Sequence, residues 1–421
     1  MNGTLSGLTT RGRCLIAAGF AATLCAWVLN ERDLLRVAVF VIALPVVVGV
    51  LTSMAKVALH ARRTIAPIRV PVGDWAEVAL AIRSSGRLPT GGLLLSDSVP
   101  HGLGGTPRFV VERLPRHSGT VLRYHVNPTL RGIQQIGPLK ATITDPFGLA
   151  EYERELAHST RIIVVPRVCP LVGVPGGSGL GSGDDGSVRL HSGQGEDDAV
   201  VRQYRQGDDL RKVHWRSTAK RDEMMVRVEE RPWRGGTTVL LDHRIAAHRG
   251  GGATSSLEWA VSMAASICLH LHRYGHRIRL VTETGRVLSD DSGDGSHSDH
   301  VVLDALAGLQ ATHQRELRCS TDPGHGQELI AIVGAATAEE AGQLIRYRSR
   351  GARSLAVVLD APAWGAGADN GHGADGVANV LRGAGWGVVV ATPTMPMSQV
   401  WMNLCHTTNH RRGSMITGAG L

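Results

Sequence analysis

Lysine is nearly missing from this 421-residue chain: only Lys56, Lys140, Lys212 and Lys220 carry an ammonium group, and arginine makes up the rest of 45 basic residues against 37 acids. The resulting net charge of +8 is spread along the sequence rather than gathered in one patch. Aromatic residues amount to only 4%, so little interleaves with the arginines as a stacking surface for bases. Nucleic-acid binding is therefore not the expected role. Cysteine is sparse too, and Cys14, Cys25, Cys169, Cys268, Cys319 and Cys405 show no C-x-x-C spacing. That argues against a zinc ribbon and against a disulfide framework. Nor is there a phosphate loop: Gly176, Gly177, Gly179, Gly181 and Gly183 are followed by no Lys-Ser or Lys-Thr.

What is present begins with two apolar runs, Cys14 to Leu29 and Val37 to Ala55. Each is near the ~20 residues that a helix needs to cross the hydrocarbon core. Asn30 to Arg36, carrying Glu31, Arg32, Asp33 and Arg36, is short enough only for an external turn. Residues 1–63 are thus expected to form a transmembrane helical hairpin, with helices at about 14–30 and 37–55. Arg11 and Arg13 precede the first helix, and Lys56, Arg62 and Arg63 follow the second. By the positive-inside rule this puts the hairpin in the cell membrane as a two-pass anchor, with both termini and the main body cytoplasmic. A cleaved leader at the first run is the alternative, and it leaves the second helix as an anchor of the same orientation.

From 64 to 170 the apolar period changes to two. Val78, Leu80 and Ile82 share one face of a strand, and further strands are expected at Leu93 to Leu95, Phe109 to Val111, Val121 to Val126, Leu139 to Thr144 and Arg161 to Val165. Short strands at this spacing predict a small antiparallel β-sandwich. Residues 171–196, dominated by glycine, serine and aspartate, are expected to be a linker or surface loop. Residues 197–236 follow as a separate, information-rich segment. In it Gly207 suits a turn, Asp208 or Asp209 a helix cap, and Arg211, His214 and Trp215 fall on neighbouring helical turns. Asp208, Asp209 and His214 suggest an acid/base set for hydrolysis. The competing reading is an ion-pair network in which arginines hold the carboxylates and Trp215 fills a gap.

Two motifs carry a family resemblance. VVRQYRQGDDLRKVHWRSTAKR (Val200 to Arg221), followed by MMVRVEE, resembles the signature of the bacterial domain of unknown function 58 family. RGIQQIGPLKATITDPFGL (Arg131 to Leu149) resembles that family's upstream RGxYxLGP and DPFGL segment. Gln203, Thr218 and Lys220 depart from the usual pattern. Carried over residue by residue, the resemblance marks Arg202, Tyr204, Gly207, Asp208, Asp209, Arg211, His214, Trp215, Arg216 and Arg227 as signature or interaction residues. It also implies a von Willebrand factor A-like C-terminal part, with a MoxR-type AAA+ ATPase and a transglutaminase-like membrane protein as partners. It implies no established reaction and no cofactor.

The residues from 237 to 410 support an α/β domain with a mostly parallel sheet on their own account, and 411–421 is read as a tail. Thr237 to Leu241, His276 to Val281, Leu329 to Val333, Leu355 to Leu359 and Trp386 to Ala391 read as strands. Ser255 to Tyr274, Asp299 to Leu309 and Ala338 to Arg348 read as helices. Such sheets bind ligands at the carboxyl ends of their strands, where Asp242 and Asp360 fall. A von Willebrand A-type metal site needs an Asp-x-Ser-x-Ser run there, because its oxygens hold a hard cation. This chain has Asp242-His243-Arg244-Ile245-Ala246, and Gly334 where a further acid is expected. No metal is therefore expected, and Asp242 is read as a capping residue or a remnant. Asp360 is expected to close its strand before a glycine-rich loop at Gly365 to Gly373. His270, His272 and His276 are expected to lack a partner acid.

The fold class is therefore multidomain: a membrane hairpin, a β-sandwich, then a von Willebrand A-like α/β domain. The leading function is a non-enzymatic, membrane-anchored scaffold or adaptor working with the ATPase. The alternatives are a hydrolase using the Asp208, Asp209 and His214 set, and binding of anionic lipid or nucleic acid through Arg202, Arg205, Arg211, Arg216 and Arg221.

Overall fold

The structure is a computed structural model that describes residues 7–54, 59–84, 93–111, 119–145, 147–175, 199–203, 225–229, 236–290, 298–319, 322–323, 328–347, 353–365 and 372–407. The chain divides into two compact units. The first is Met1–Val168 with Gly251–Ala265 and Leu303–Gln310; the second is Cys169–Gly250 with Ser266–Val302 and Ala311–Leu421.

The first unit opens with a helical hairpin, α1 (Thr10–Leu29) and α2 (Arg32–Met54). Both helices are long and apolar enough to cross a membrane. Asn30 ends α1 in the left-handed region, at φ 53°, where a short polar side chain is tolerated. The connection is then only Asn30 and Glu31, shorter than the expected turn. Arg32, Asp33 and Arg36 already belong to α2, because an acid in a first helical turn is favourable and Asp33 pairs with Arg36 at 2.8 Å.

Three sheets follow. β1 (Leu59–Ala66), β3 (Ala76–Ser84) and β6 (Gly119–Val126) form one; β5 (Arg108–Val111), β4 (Leu93–Asp97), β8 (Leu139–Thr144) and β9 (Glu151–Ala157) form another. In the third, β2 (Arg69–Pro71) runs parallel to β10 (Thr160–Val165), which pairs antiparallel with β7 (Gly132–Ile136). The expected sandwich is thus not purely antiparallel. Ala76, Val78, Leu80 and Ile82 are fully buried along one face of β3, as their period of two requires.

Arg63, counted in the sequence among the positive charges flanking the second helix, is buried instead within this β-rich part. Its Nε donates to Asp97 Oδ2 at 3.1 Å and its Nη2 to Oδ1, while Nη1 donates to the His158 carbonyl at 2.6 Å. The Tyr124 hydroxyl donates to the same carboxylate at 2.6 Å. Burial and this hydrogen bond hold the phenol protonated by raising its pKa.

The DPFGL segment acts as a clasp on α1. Asp145 folds the loop around its own carboxylate, which accepts from the backbone N–H of Phe147 at 2.6 Å, of Leu149 at 2.7 Å and of Ala150. The loop carbonyls are then free to hold the helix start. Thr9 N–H donates to Leu149 O at 3.0 Å, its hydroxyl donates to Gly148 O at 2.6 Å, and Glu151 N–H donates to Gly7 O at 2.7 Å. The same hydroxyl oxygen accepts from Gly12 N–H at 3.3 Å and so caps the helix. Gly12 must lack a side chain, since a Cβ there would lie 2.3 Å from the Leu149 carbonyl.

The second unit contains a six-stranded sheet in the order β15 (Val287–Asp290), β14 (Arg277–Thr282), β13 (Gly236–Leu241), β16 (Glu328–Val333), β17 (Ser354–Leu359), β18 (Gly387–Ala391). Every neighbouring pair is parallel except β14 with β15. β13 and β17 are buried along their whole length, which is why Val239 to Leu241 and Leu355 to Leu359 read as continuous apolar runs without alternation. The helices associated with these strands in the chain are α3 (Ser256–Arg273), α4 (Ser298–Gly308), α5 (Ala338–Arg346), α6 (His372–Gly383) and α7 (Met397–Thr407). α6 replaces the end of the expected glycine-rich loop: its three glycines hide a helix whose Val377, Ala378 and Leu381 are buried.

The expected linker is held down where it begins. Cys169 N–H donates to Ser266 Oγ at 2.9 Å, and the Gly173 carbonyl accepts from His270 Nε2 at 2.7 Å and Trp401 Nε1 at 3.0 Å. Residues 176–198 lie outside the described residues. β11 (Ala199–Gln203) and β12 (Met225–Glu229) form a two-stranded antiparallel ribbon.

Removing Asp97 alone leaves the Arg63 guanidinium buried without its counter-charge. Asp97→Ala is expected to cost about 3–5 kcal/mol. The double change Arg63→Met with Asp97→Leu, which removes both charges, recovers most of that loss. Thermal unfolding of the detergent-solubilised full-length protein measures both; equal losses in the single and double variants contradict the account.

Candidate functional site

In order of appearance, the five parallel strands lie 2-1-3-4-5 across the sheet. The chain therefore changes direction between β13 and β16, and a crevice outside their carboxyl ends is where a doubly wound sheet places its ligand site. Asp242 follows β13 and Gly334 follows β16, so both fall at this point.

Asp242 is fully buried. Its Oδ1 accepts from Arg244 Nε at 2.9 Å and from Arg244 N–H at 3.2 Å; its Oδ2 accepts from Arg244 Nη2 at 2.9 Å and from Gly334 N–H at 3.4 Å. Both carboxylate oxygens are thus committed to Arg244 before any ligand arrives. The guanidinium reaches further: Nη1 donates to the Arg315 carbonyl at 2.8 Å and to Glu340 Oε1, and Nη2 to the Ala335 carbonyl at 3.4 Å. Burial works against its charge, but the hydrogen bonds and charges of Asp242 and Glu340 outweigh burial and raise its pKa.

Glu340 serves three partners from one carboxylate. Its Oε2 accepts from Thr337 N–H at 2.8 Å while Thr337 Oγ1 accepts from Glu340 N–H at 3.2 Å, a capping box that starts α5. Its Oε1 accepts from Leu317 N–H at 2.9 Å and from Arg244. Burial opposes its charge, yet these hydrogen bonds and the guanidinium hold its pKa below the usual value. Gly334 is not a lost acid: a Cβ there would lie 2.3 Å from the Ala247 carbonyl. His248 donates from Nε2 to the Asp242 carbonyl at 2.9 Å, and burial lowers its pKa.

Beside this cluster, His243 Nδ1 lies 2.5 Å from Glu283 Oε2, and Cys319 Sγ donates to the Glu283 carbonyl at 3.0 Å. Burial, with the charges of Glu283 and Asp322, pushes the Cys319 thiol up to about 12, so it is held as a thiol rather than a nucleophilic thiolate. A cleft of about 440 Å³ opens at the cluster, lined by Arg244, Arg315, Glu316, Thr337, Glu339 and Gln343 among others. The residues do not fit the divalent cation of a von Willebrand A-type site, because the guanidinium occupies both Asp242 oxygens. Asp360 has its N–H on the Ala391 carbonyl at 2.9 Å and begins a short 3-10 turn.

Residues 200–328 match the family model described as Protein of unknown function DUF58. Over that stretch the chain is similar to DUF58 proteins. The DUF58 match takes in β12, the Asp242–Arg244 pair, α3, β14 and α4, and stops before Gly334 and Glu340. No curated protein matches the chain. Among solved structures, the CARDB domain of a Pyrococcus furiosus protein in complex with di-metal ions is 19% identical, with 26% of this chain and 86% of that one covered and a TM-score of 0.20. The alkylpurine DNA glycosylase AlkC of Pseudomonas fluorescens is 11% identical, over 32% of this chain and 40% of that one, at a TM-score of 0.17. A β-glucosidase of Listeria innocua is 8% identical, over 24% and 16%, at 0.15.

Of the DUF58 signature residues, Arg202 stands opposite Val226 and Arg227 opposite Val201 in the β11–β12 ribbon. Tyr204, Gly207, Asp208, Asp209, Arg211, His214, Trp215 and Arg216 lie outside the described residues. His272 departs from its expectation: it has a partner acid, Asp299, with Nδ1 to Oδ1 at 2.8 Å. Glu340 was missed as a site residue, although Thr337-x-x-Glu340 is a capping-box pattern visible in the sequence.

Three groups with lowered pKa values, His248, His276 and Glu340, set the sign of the pH dependence. Because the His248 pKa in the folded protein lies below its ordinary 6.5, the unfolded chain binds more protons near that pH, and stability is lost as pH falls below it. His276, also lowered by burial, acts in the same direction. Glu340, held below 4.5, adds a second loss at lower pH. The unfolding temperature is expected to descend in two steps on acidification, with His248→Asn shrinking the upper one; a flat profile between roughly pH 7 and 5 contradicts it.

Proposed function

We propose that this DUF58-like protein is a membrane-anchored, non-enzymatic scaffold or adaptor that presents a von Willebrand A-like domain at the cytoplasmic face and engages a MoxR-type AAA+ ATPase by protein–protein contact. A transglutaminase-like membrane protein is the second partner that the family resemblance suggests. The observation that carries the reading is the clasp of Gly7, Thr9 and Gly12 on the Gly148 to Glu151 segment. It fastens the start of an apolar hairpin to a folded β-rich body, as an anchored platform requires. The cytoplasmic side is supported by Arg11 and Arg13 before the hairpin and Arg62 after it.

The A-like reading is supported by a parallel sheet whose first strand is central and whose edge carries one short antiparallel strand, β15. An interaction role is supported by the chemistry at the switch point, where Asp242 has its oxygens committed and the Cys319 thiol is held protonated. The partner itself rests on the family resemblance.

Co-purification from detergent-solubilised membranes tests the proposal. Wild type is expected to bring down the ATPase, and an Asp208→Ala/Arg211→Ala variant that stays folded by circular dichroism is expected to lose it. Recovery of the same material by both proteins, or of no ATPase by either, rejects the signature as the partner-binding surface.

A further inference from the structure

Five oxygen acceptors converge on the Arg244 guanidinium: Asp242 Oδ1, Asp242 Oδ2, Glu340 Oε1, and the carbonyls of Arg315 and Ala335. Oxygen-only ligation by carboxylates and peptide carbonyls is the donor set with which proteins hold hard divalent cations. Here the centre of the cage is taken by a planar cation with its donors in a fixed fork. The Arg244 and Asp242 side chains are 2% and 0% exposed, so this is an enclosed charge cluster rather than a surface ion pair.

We propose that Arg244 is a tethered cation: its guanidinium stands where a divalent ion would otherwise sit at the carboxyl ends of β13 and β16, and makes this edge of the domain independent of divalent metal. The inference rests on this geometry alone, not on the ATPase partnership. The surrounding sequence agrees with it. His243, Ile245 and Ala246 supply no hydroxyl to complete a metal shell, and the Gly334 position admits no carboxylate because any Cβ meets the Ala247 carbonyl. Two carboxylates face one guanidinium, so loss of Arg244 leaves two negative charges facing each other in a buried cage. Such a cage draws a divalent cation.

A cation supplied in cis cannot be chelated, and it has no open coordination position for an acidic side chain of a partner to complete. A partner docking at this edge therefore meets the outer wall of the cleft, formed by Arg315, Glu316, Thr337, Glu339 and Gln343, and its binding is insensitive to chelators.

The test uses the full-length protein in detergent, at matched ionic strength, with EDTA, Mg2+ or Ca2+ present during thermal unfolding and Mn2+ binding followed by electron paramagnetic resonance. Wild type is expected to unfold at the same temperature in all three conditions and to bind no Mn2+. Arg244→Ser, and Arg244→Ser/Ala246→Ser with an added hydroxyl, are expected to unfold earlier in EDTA. They regain about 5–10 °C with saturating Mg2+ or Ca2+ and bind Mn2+ stoichiometrically, and Glu340→Gln added to either abolishes that uptake. Metal-dependent stability or Mn2+ uptake at this edge in wild type, lost with Asp242→Asn, overturns the proposal. So does failure of both serine variants to fold or gain stability with any of the cations.

Discussion

A single guanidinium organises the carboxyl edge of the parallel sheet. Arg244 joins the end of β13, through Asp242, to the start of α5, through Glu340, and to the strand-free segment around Arg315. Taking the charges out of water is unfavourable by several kcal/mol per ion, and the arrangement persists because so many acceptors converge on one planar donor group. Glu340 then ties helix formation to the cluster, since its carboxylate that holds Arg244 also closes the capping box of α5.

The first unit solves a similar problem in a similar way. Arg63 and Asp97 are enclosed side by side, with Tyr124 donating to the carboxylate and the His158 carbonyl and Thr160 hydroxyl accepting from the guanidinium. This gives the arginine bias of the composition a physical content at two positions. A lysine ammonium is a compact point charge, strongly hydrated, and cannot address two carboxylate oxygens with parallel N–H groups. Whatever the origin of the bias, these two sites depend on the fork.

How much of this was legible in the sequence varied with the kind of element. β16 and β17 announced themselves as the apolar runs Leu329 to Val333 and Leu355 to Leu359, and β3 as an alternation of Val78, Leu80 and Ile82. β9, with Glu151 to Arg154 exposed, was hidden by its charges, and β1 by Arg62 and Arg63, one of which is a core residue in disguise. α6 was hidden by its glycines. At the site, Asp242 was legible from its place after β13. Arg244 was legible only as a missing hydroxyl, because its partner Glu340 lies 96 residues further on and nothing local connects the two. The capping pattern at Thr337 marked a helix start without revealing that the same acid faces a buried cation. The family signature was legible as a motif, while most of its residues lie outside those described.

The clasp at the start of α1 means that the β-rich body is joined to the helical hairpin at two places, by covalent continuity after α2 and by the hydrogen bonds of Thr9 and Glu151. A body held by one strand of chain swivels freely about it. A body held at two points has a hinge axis instead of a pivot, so a tilt of the hairpin is transmitted to the attached strands as a directed rotation rather than lost in a slack tether.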